Sequence, residues 1–393
     1  KQNKESLIMA RNRVIYQSEG LYVNNVSSSG SALSHEQLNR VQSANYSFTI
    51  NRQDVNQFGD LARIDSLVLE PPTVSLDFSY YLTDGFNERA LGFFVQQTGV
   101  TASSQRFANA TSNSVGNFAS GHLVSSSGAN FYIVTSPDGE DLNKNPAVGL
   151  DPNDSVIGVG NCYVSDYSVE LAVGSLPTVN VSVEGANMNS VDYTAGFANP
   201  AVNQENGSKY TTTTITLPDP TENGGIDSKG GPITALRPGD ISLELVNLQT
   251  DSLVKIDGLD GAHVQSASIS VPLSRTPIDR LGSRFPFARE VDFPVSCTLN
   301  VSAIVSNAQA KNLADILDLG ESDASITIND QQSTPVPAIR YDLKGLKIDS
   351  QSFSSSIGSN KTVDLTFSTQ IGGPNDSLNG VFMSGAGFNQ VFV

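Results

Sequence analysis

Three histidines, two cysteines and one acidic segment are the residues of this 393-residue chain whose types suit catalysis or metal binding. His35, His122 and His263 lie far apart and form none of the HxH or HxxxH spacings that place two imidazoles on one ion. The chain also has no G-x-S-x-G nucleophile motif and no Walker phosphate loop. The sequence therefore gives no support to an enzyme, and it predicts no cofactor.

The acidic segment is the one candidate metal site. Asp138, Glu140 and Asp141 carry the oxygen side chains that a calcium ion prefers. Their order does not follow the EF-hand loop, and Lys144 lies in the middle of the segment. An acidic turn is the favoured interpretation, and a calcium site is the weaker alternative.

Composition and charge limit the possible partners. The formal net charge is −17, which argues against tight nucleic-acid binding because that binding needs Lys and Arg at the phosphates. An acidic surface is compatible with DNA that passes without sticking. No apolar run resembles a signal peptide or reaches the roughly 18 residues that span a bilayer. We expect a soluble protein with no membrane partner, made in a reducing cytoplasm.

A repeat dominates the sequence. Residues 41–84 match residues 264–307 without a gap at an offset of 223, with 11 identities where chance gives about 3. A second block, which begins with Ser168 and Ser352, matches at an offset of 184. The sequence therefore predicts one domain duplicated and fused, with 39 extra residues in the first copy, which is the difference 223 − 184.

The repeat also explains the two cysteines. Cys162 aligns with Leu346, and Cys297 aligns with Val74. Because each position holds an aliphatic residue in the other copy, we expect two small buried side chains rather than a disulfide or a metal site.

Alternating apolar and polar residues predict strands with one buried face. The pattern occurs at 46–50 and 74–80, returns at 269–273 and 299–305, and closes each copy at 179–183 and 363–367. Helical spacing predicts one helix in each copy, over 87–95 and 306–319. The predicted fold class is mainly β, with two tandem duplicated antiparallel β-sandwich or barrel domains, each with a flanking helix.

Changes in composition divide the chain into five parts. The connector and both arms are rich in Gly, Asn or Ser. The predicted parts are an N-terminal arm with the first strand (1–40), the first domain copy with an insertion within 86–160 (41–187), a connector (188–236), the second copy (237–371) and a C-terminal arm (372–393).

Three segments, 43–55, 72–84 and 160–169, resemble major tail tube proteins of long-tailed bacteriophages. They read SANYSFTINRQDV, PTVSLDFSYYLTD and NCYVSDYSV preceded by Gly160. The resemblance is one of overall pattern over most of the chain, and it is greatest to the tube proteins in which two tube domains are fused. It implies a β-sandwich or barrel with a flanking helix and a structural role in the virion tail.

The resemblance also implies partners and an assembly. Six tube domains form a ring, so three copies of this chain would form one pseudo-sixfold ring. Stacked rings would form a hollow conduit for genome ejection, assembled in the host cytoplasm with other tail proteins. DNA would pass through it without specific binding.

Six residues are candidates for roles in such an assembly. Ser75, Asp77, Thr298 and Asn300 lie on the polar side of two predicted strands, where they face either the lumen or the exterior. Arg52 and Arg275 occupy matching positions after a strand, where each either bridges adjacent domains or is a solvated charge at a turn.

Two other classes of protein remain as alternatives. One is a tandem β-domain adhesin or carbohydrate-binding surface protein, against which the absence of Trp counts. The other is a different virion component, such as a decoration or baseplate protein.

Overall fold

The structure is a computed structural model. It describes residues 19–25, 36–97, 117–124, 128–136, 142, 155–192, 197–204, 207–209, 214–215, 236–246, 254–255, 263–282, 285–305, 307–308, 313–314, 320–329, 337–358, 360–373, 376 and 378–385.

In the first part of the chain, the described residues form strands β1 to β11 and two short helices. These elements are β1 Glu19–Asn25, β2 Glu36–Gln37, β3 Val41–Thr49, β4 Arg52–Val55, β5 Asp65–Val68, β6 Thr73–Tyr81, α1 Phe86–Ala90, β7 Val95–Gln97, α2 Ser120–Val124, β8 Ala129–Thr135, β9 Ser155–Ala172, β10 Thr178–Gly185 and β11 Asn187–Asp192.

The described residues after Asp192 form strands β12 to β24. These are β12 Phe197–Ala198, β13 Thr214–Ile215, β14 Ile241–Val246, β15 Val254–Lys255, β16 Val264–Pro272, β17 Arg275–Ile278, β18 Ala288–Val291, β19 Val295–Ile304, β20 Asn307–Ala308, β21 Ser322–Asn329, β22 Pro337–Ser354, β23 Thr362–Ile371 and β24 Gly380–Gly385. A 3-10 turn, Pro238–Asp240, precedes β14.

One continuous antiparallel sheet runs through both halves of the chain in the order β3-β6-β10-β9-β16-β19-β23-β22. The N-terminal part of β9 pairs with β8 and β11, and β8 pairs in turn with β1. In the same way the N-terminal part of β22 pairs with β21 and β24, and β21 pairs in turn with β14. The prediction of a mainly β, antiparallel protein is confirmed. The four strands of each half are joined edge to edge through β9 and β16, which the sequence did not predict.

The two long strands β9 and β22 each bend at one residue with a left-handed backbone. Asn161 has φ 53° and Gly345 has φ 66°. Before the bend each strand pairs with the outer strands, and after it each strand belongs to the eight-stranded sheet. Asn161 is stabilised there because its side-chain oxygen accepts a hydrogen bond from the Val202 amide at 2.7 Å.

Alternation along the strands produces the core. On β6, Val74, Leu76 and Phe78 are buried while the residues between them are partly or fully exposed. Strands β10, β19 and β23 follow the same rule. Their apolar faces and the outer strands form one large cluster of buried side chains from both halves, which holds the layers together because it removes apolar surface from water.

Strand positions in the two halves correspond at the offsets of the sequence repeat. Strands β3 and β4 begin at residues 41 and 52, and their counterparts β16 and β17 begin at residues 264 and 275. The bulge between Val41 and Ser43 has its counterpart between Val264 and Ser266. A further bulge, at Ser165 of β9 opposite β10, has its counterpart at Asp349 of β22 opposite β23.

The predicted helices differ from the structure. Helix α1 ends after Ala90 instead of continuing to residue 95, because Gly92 adopts φ 96° and Val95 starts strand β7. Leu91 and Phe93 are buried, whereas Phe94 is partly exposed. Of the predicted helix over 306–319, residues 307–308 form strand β20 instead and residues 313–314 are helical, and the rest lies outside the described residues.

Cys162 and Cys297 are free and buried, as predicted. Part of the insertion, residues 117–124, packs between the halves, since the Phe118 amide donates to the Val381 carbonyl at 2.7 Å. The C-terminal apolar residues 391–393 lie outside the described residues.

Candidate assembly interface

The four polar residues singled out from the sequence lie on one face of the eight-stranded sheet. Ser75 and Asp77 belong to β6, and Thr298 and Asn300 belong to β19. They project away from the core because their neighbours in the strand are buried. Ser75 shares a hydrogen bond with the Ser47 hydroxyl at 2.9 Å, and Asn300 accepts one from Thr366 at 3.0 Å.

This polar face continues across all eight strands. Residues directly opposite each other in a sheet project from the same face. The strand registers give one row of such residues from edge to edge: Ser43, Ser79, Asn180, Ser168, Ser270, Thr298, Ser368 and Lys347. Small hydroxyl and amide groups therefore form most of the face.

The charges on the polar face are mainly negative. Asp77, Glu170 and Asp364 are exposed on it, and Asp166 is half-buried. Burial raises the pKa of the Asp166 carboxyl. An acidic face of this kind repels polyanions.

The junction of the two halves starts with backbone pairing between β9 and β16. Ser168 lies opposite Ser270, and Glu170 lies opposite Ser268. The Val173 amide donates to the Gln265 carbonyl at 2.9 Å, which extends the pairing beyond the strands. This junction buries the apolar residues of both strands, and it is called the internal junction below.

Two arginines of the second half reinforce the internal junction. Arg275 donates to the His122 carbonyl at 2.7 Å, and its guanidinium lies 4.8 Å from the centre of the Tyr163 ring. Arg289, only 8% exposed, donates to the Glu184 carboxylate at 3.2 Å. Arg275 therefore contacts the first half, in the place where the sequence left a choice between a bridge and a solvated charge.

A buried carboxyl group also lies at the internal junction. The Tyr80 and Tyr167 hydroxyls donate to Glu88 Oε1 at 2.8 Å and 3.2 Å. The Tyr167 hydroxyl lies 2.9 Å from that of Tyr341, which comes from the second half. Burial raises the pKa of Glu88 to about 7. The sequence did not single out these residues.

His122 is the second titratable group at this place. Its imidazole contacts the Phe93 ring edge-on, with 4.5 Å between the ring centres. Burial, and secondly the charge of Arg275, lower the pKa of His122 to about 3. A neutral imidazole therefore belongs to the folded chain.

The two outer edges of the sheet expose residues whose counterparts are buried at the internal junction. Phe48 on β3 is 61% exposed, whereas Val271, its counterpart on β16, is 0% exposed. Phe353 on β22 is 43% exposed, whereas Val169, its counterpart on β9, is 0% exposed. Each edge therefore exposes a large apolar side chain whose counterpart is buried at the internal junction.

The hairpin of β4 and β5 is exposed in the same way. Its counterpart, the hairpin of β17 and β18, places Arg289 against the first half of the chain. Every residue of β4 is exposed, including Arg52. Arg52 makes no side-chain hydrogen bond or ion pair with the described residues.

The candidate calcium ligands Asp138, Glu140 and Asp141 lie outside the described residues. Within the described part of the chain, no group of three or more metal-ligating side chains comes together. No helix in that part is long and apolar enough to cross a membrane.

Some solved structures are similar to this chain. No family model and no curated protein matches the sequence. One similar solved chain belongs to the cryo-EM structure of the anti-feeding prophage (AFP) baseplate, 6-fold symmetrised. It is 13% identical, with a TM-score of 0.23, and the match covers 37% of this chain and 91% of that chain.

Proposed function

We propose that this protein is a structural subunit that closes into a ring by pairing its own sheet edges. Strand β3 of one copy pairs with the second half of β22 in the next copy, as β16 pairs with β9 inside the chain. The contrast between exposed Phe48 and buried Val271 carries this proposal. Exposed sheet edges accept added strands, and an apolar edge favours them further because pairing removes apolar surface from water.

We infer that the chain is two fused copies of one domain. The matching bulges and strand starts support this origin, and they make the internal junction a template for the junction between chains. A heterologous contact of this kind forms a closed ring when the rotation completes a circle. The resemblance to tail tube proteins implies six domains and therefore three chains.

Such a ring would enclose a wide channel. Each chain contributes eight strands, so three chains give 8 × 3 = 24 strands. With strands about 4.8 Å apart and tilted by about 40°, the backbone barrel would be about 45–50 Å across. That width admits duplex DNA. The face with Ser75, Asp77, Thr298 and Asn300 would line the lumen, because the opposite face is filled by the core.

The function that fits this architecture is that of the major tail tube subunit of a long-tailed bacteriophage. Rings would stack with one another and with other tail proteins into a conduit for genome ejection. The protein would be assembled in the host cytoplasm and would reside in the virion tail. The acidic and hydroxyl-rich lumen would let DNA pass without specific binding, and the protein would not be an enzyme.

Disulfide cross-linking between edges tests the ring. Ser270 lies opposite Ser168 at the internal junction. Their counterparts are Ser47 (270 − 223) and Ser352 (168 + 184), so Ser47 of one chain should lie opposite Ser352 of its neighbour. The variant Ser47→Cys/Ser352→Cys should therefore form disulfides between chains on oxidation, since opposite residues have Cβ atoms about 4.5–5.5 Å apart. The native cysteines are buried and should not interfere.

A matched control fixes the register. Ser43→Cys/Ser350→Cys places two thiols on the same edges but about 20 Å apart in the predicted pairing, which is six residues of strand. Non-reducing gels should show a ladder that ends at a covalent trimer for the first variant and not for the control. Negative-stain images should show six-lobed rings or stacked tubes. Monomers in both variants at every concentration would contradict the ring.

A further inference from the structure

We infer that Arg52 of one chain forms an ion pair with Glu321 of the neighbouring chain, beside Lys347, at the junction between chains. This inference rests on the ring proposed above and identifies the charged contact of its edges. The partner is a second copy of this chain.

The position of Arg275 at the internal junction shows where Arg52 would reach. Arg52 lies opposite Val68 in its hairpin, as Arg275 lies opposite Val291 in its own. The two hairpins have the same register. If the hairpin of β4 and β5 packs on the neighbouring chain as the hairpin of β17 and β18 packs on the first half, Arg52 lies against the counterpart of the Tyr163 ring. That counterpart is Lys347, since 163 + 184 = 347.

The place that Arg52 would occupy already contains a carboxylate. Lys347 Nζ lies 3.8 Å from Glu321 Oε1, and both side chains are more than half exposed, at 65% and 54%. Glu321 directly precedes Ser322 of β21, which lies opposite Leu346 of β22. In the first half the equivalent of Ser322 is Ala129, opposite Cys162, so the equivalent of Glu321 is Gly128. The carboxylate is therefore specific to the second half.

Charge makes Glu321 necessary at this junction. Without it, Arg52 would approach the like charge of Lys347, and like charges facing each other across an interface weaken it. With it, the guanidinium finds an acceptor whose geometry matches its own donors. The carboxylate would then lie between two cations.

The junction between chains lacks the ion pair of the internal junction. The counterparts of Arg289 and Glu184 are Ser66 and Ser368, at offsets of 223 and 184. Serines cannot supply a charge-assisted contact there. The contact between Arg52 and Glu321 would therefore be the charge contact that aligns neighbouring chains, and the two kinds of junction would differ in chemistry.

Charge reversal with rescue tests the pair. Glu321→Arg would place three cations together and should weaken ring formation at least about tenfold per junction. Adding Arg52→Glu to that variant should restore most of the association, because the new carboxylate lies between the introduced guanidinium and the Lys347 ammonium. Sedimentation over a concentration series measures both effects, and they should shrink at high salt.

Controls separate the possible results. Arg237→Glu makes a charge reversal of equal size at a site outside the junction and should assemble like the wild type. Normal assembly of Glu321→Arg, or no rescue by Arg52→Glu, would overturn the inference. If Ser47→Cys/Ser352→Cys still forms the covalent trimer in that case, the ring stands and only the ion pair is wrong. If no cross-link forms, both are wrong.

Discussion

The Tyr167 hydroxyl, from the first half of the chain, lies 2.9 Å from the Tyr341 hydroxyl, from the second half, and both are fully buried. The same Tyr167 hydroxyl donates to Glu88 Oε1. A polar network thus crosses the internal junction inside an apolar core, where an unpaired polar group costs more than a hydrogen bond contributes. Removing one member of this network should therefore destabilise the protein most where it leaves another member unpaired.

The first prediction ranks the two tyrosines. Tyr167→Phe removes two contacts and should lower the free energy of unfolding by about 2–3 kcal/mol. Tyr341→Phe leaves the contact between Tyr167 and Glu88 intact and should lower it by about 1 kcal/mol. Denaturant unfolding measures both, with Tyr81→Phe as a partly exposed control. An equal or larger loss in Tyr341→Phe would contradict this network.

The second prediction concerns Glu88 and pH. Burial raises its pKa to about 7 from an ordinary 4.5, so the folded protein keeps a proton that the unfolded chain releases between these values. Stability owed to this group therefore falls as the pH rises from 4.5 to 7. The free energy of unfolding of Glu88→Gln minus that of the wild type should therefore rise by about 3 kcal/mol as the pH is raised from about 4 to about 8.

Unfolding curves at several pH values measure this difference. Glu244→Gln, at an exposed position of β14, is the matched control and should change little across the series. A difference between wild type and Glu88→Gln that stays constant with pH would show that the carboxyl is not buried as described.

The third prediction has the opposite sign. Burial, followed by the charge of Arg275, lowers the pKa of His122 to about 3. The unfolded chain therefore binds a proton below about pH 6.5 that the folded chain does not, and the stability that depends on this group is lost as the pH falls. In His122→Gln this acid-side loss should be smaller. Thermal unfolding at about pH 7 and about pH 4.5 measures it, and equal losses in both proteins would refute the assignment.

The fourth prediction concerns thiol reactivity. Burial raises the pKa of the Cys297 thiol to about 12, and it also raises that of Cys162. Because the thiolate is the reactive form, neither residue should react with a thiol reagent at about pH 8 until the protein unfolds. Mass spectrometry of the labelled protein counts the adducts, and rapid labelling of the folded chain would contradict the burial of both residues.

Strands were predictable from the sequence because each has one apolar and one polar face. Val74, Leu76 and Phe78 follow a period of two, and that period alone placed Ser75 and Asp77 on the opposite face. The repeat added a second, independent reason to expect buried cysteines, since Cys162 aligns with Leu346. Local patterns of this kind need no knowledge of the neighbouring strand.

Contacts across the internal junction were not predictable. Arg52 and Arg275 are the same residue type at matching positions, and they differ only in whether another half of the chain lies beside them. Glu88 looks like a solvated helix residue in the sequence, yet helix α1 packs it against Tyr80. Long-range docking decides both cases, and no short-range pattern encodes it.

The fifth prediction separates folding from assembly by comparing equivalent residues. Val271 is fully buried in the chain, so Val271→Ser should lower the free energy of unfolding by about 2–4 kcal/mol through lost apolar contacts and a buried hydroxyl. Phe48 is 61% exposed in the single chain. Phe48→Ser should therefore change the stability of the dilute protein by less than about 0.5 kcal/mol.

Assembly should respond to these two changes in the reverse order. If β3 pairs with β22 of a neighbour, Phe48 becomes buried there, as Val271 is inside the chain, and Phe48→Ser should reduce ring formation about tenfold or more because a buried Phe contributes about 1.5–3 kcal/mol. Phe353→Ser should act alike from the opposite edge. Sedimentation at increasing concentration measures association, and denaturation of the dilute protein measures folding. Unchanged association in both variants would mean that these edges do not pair.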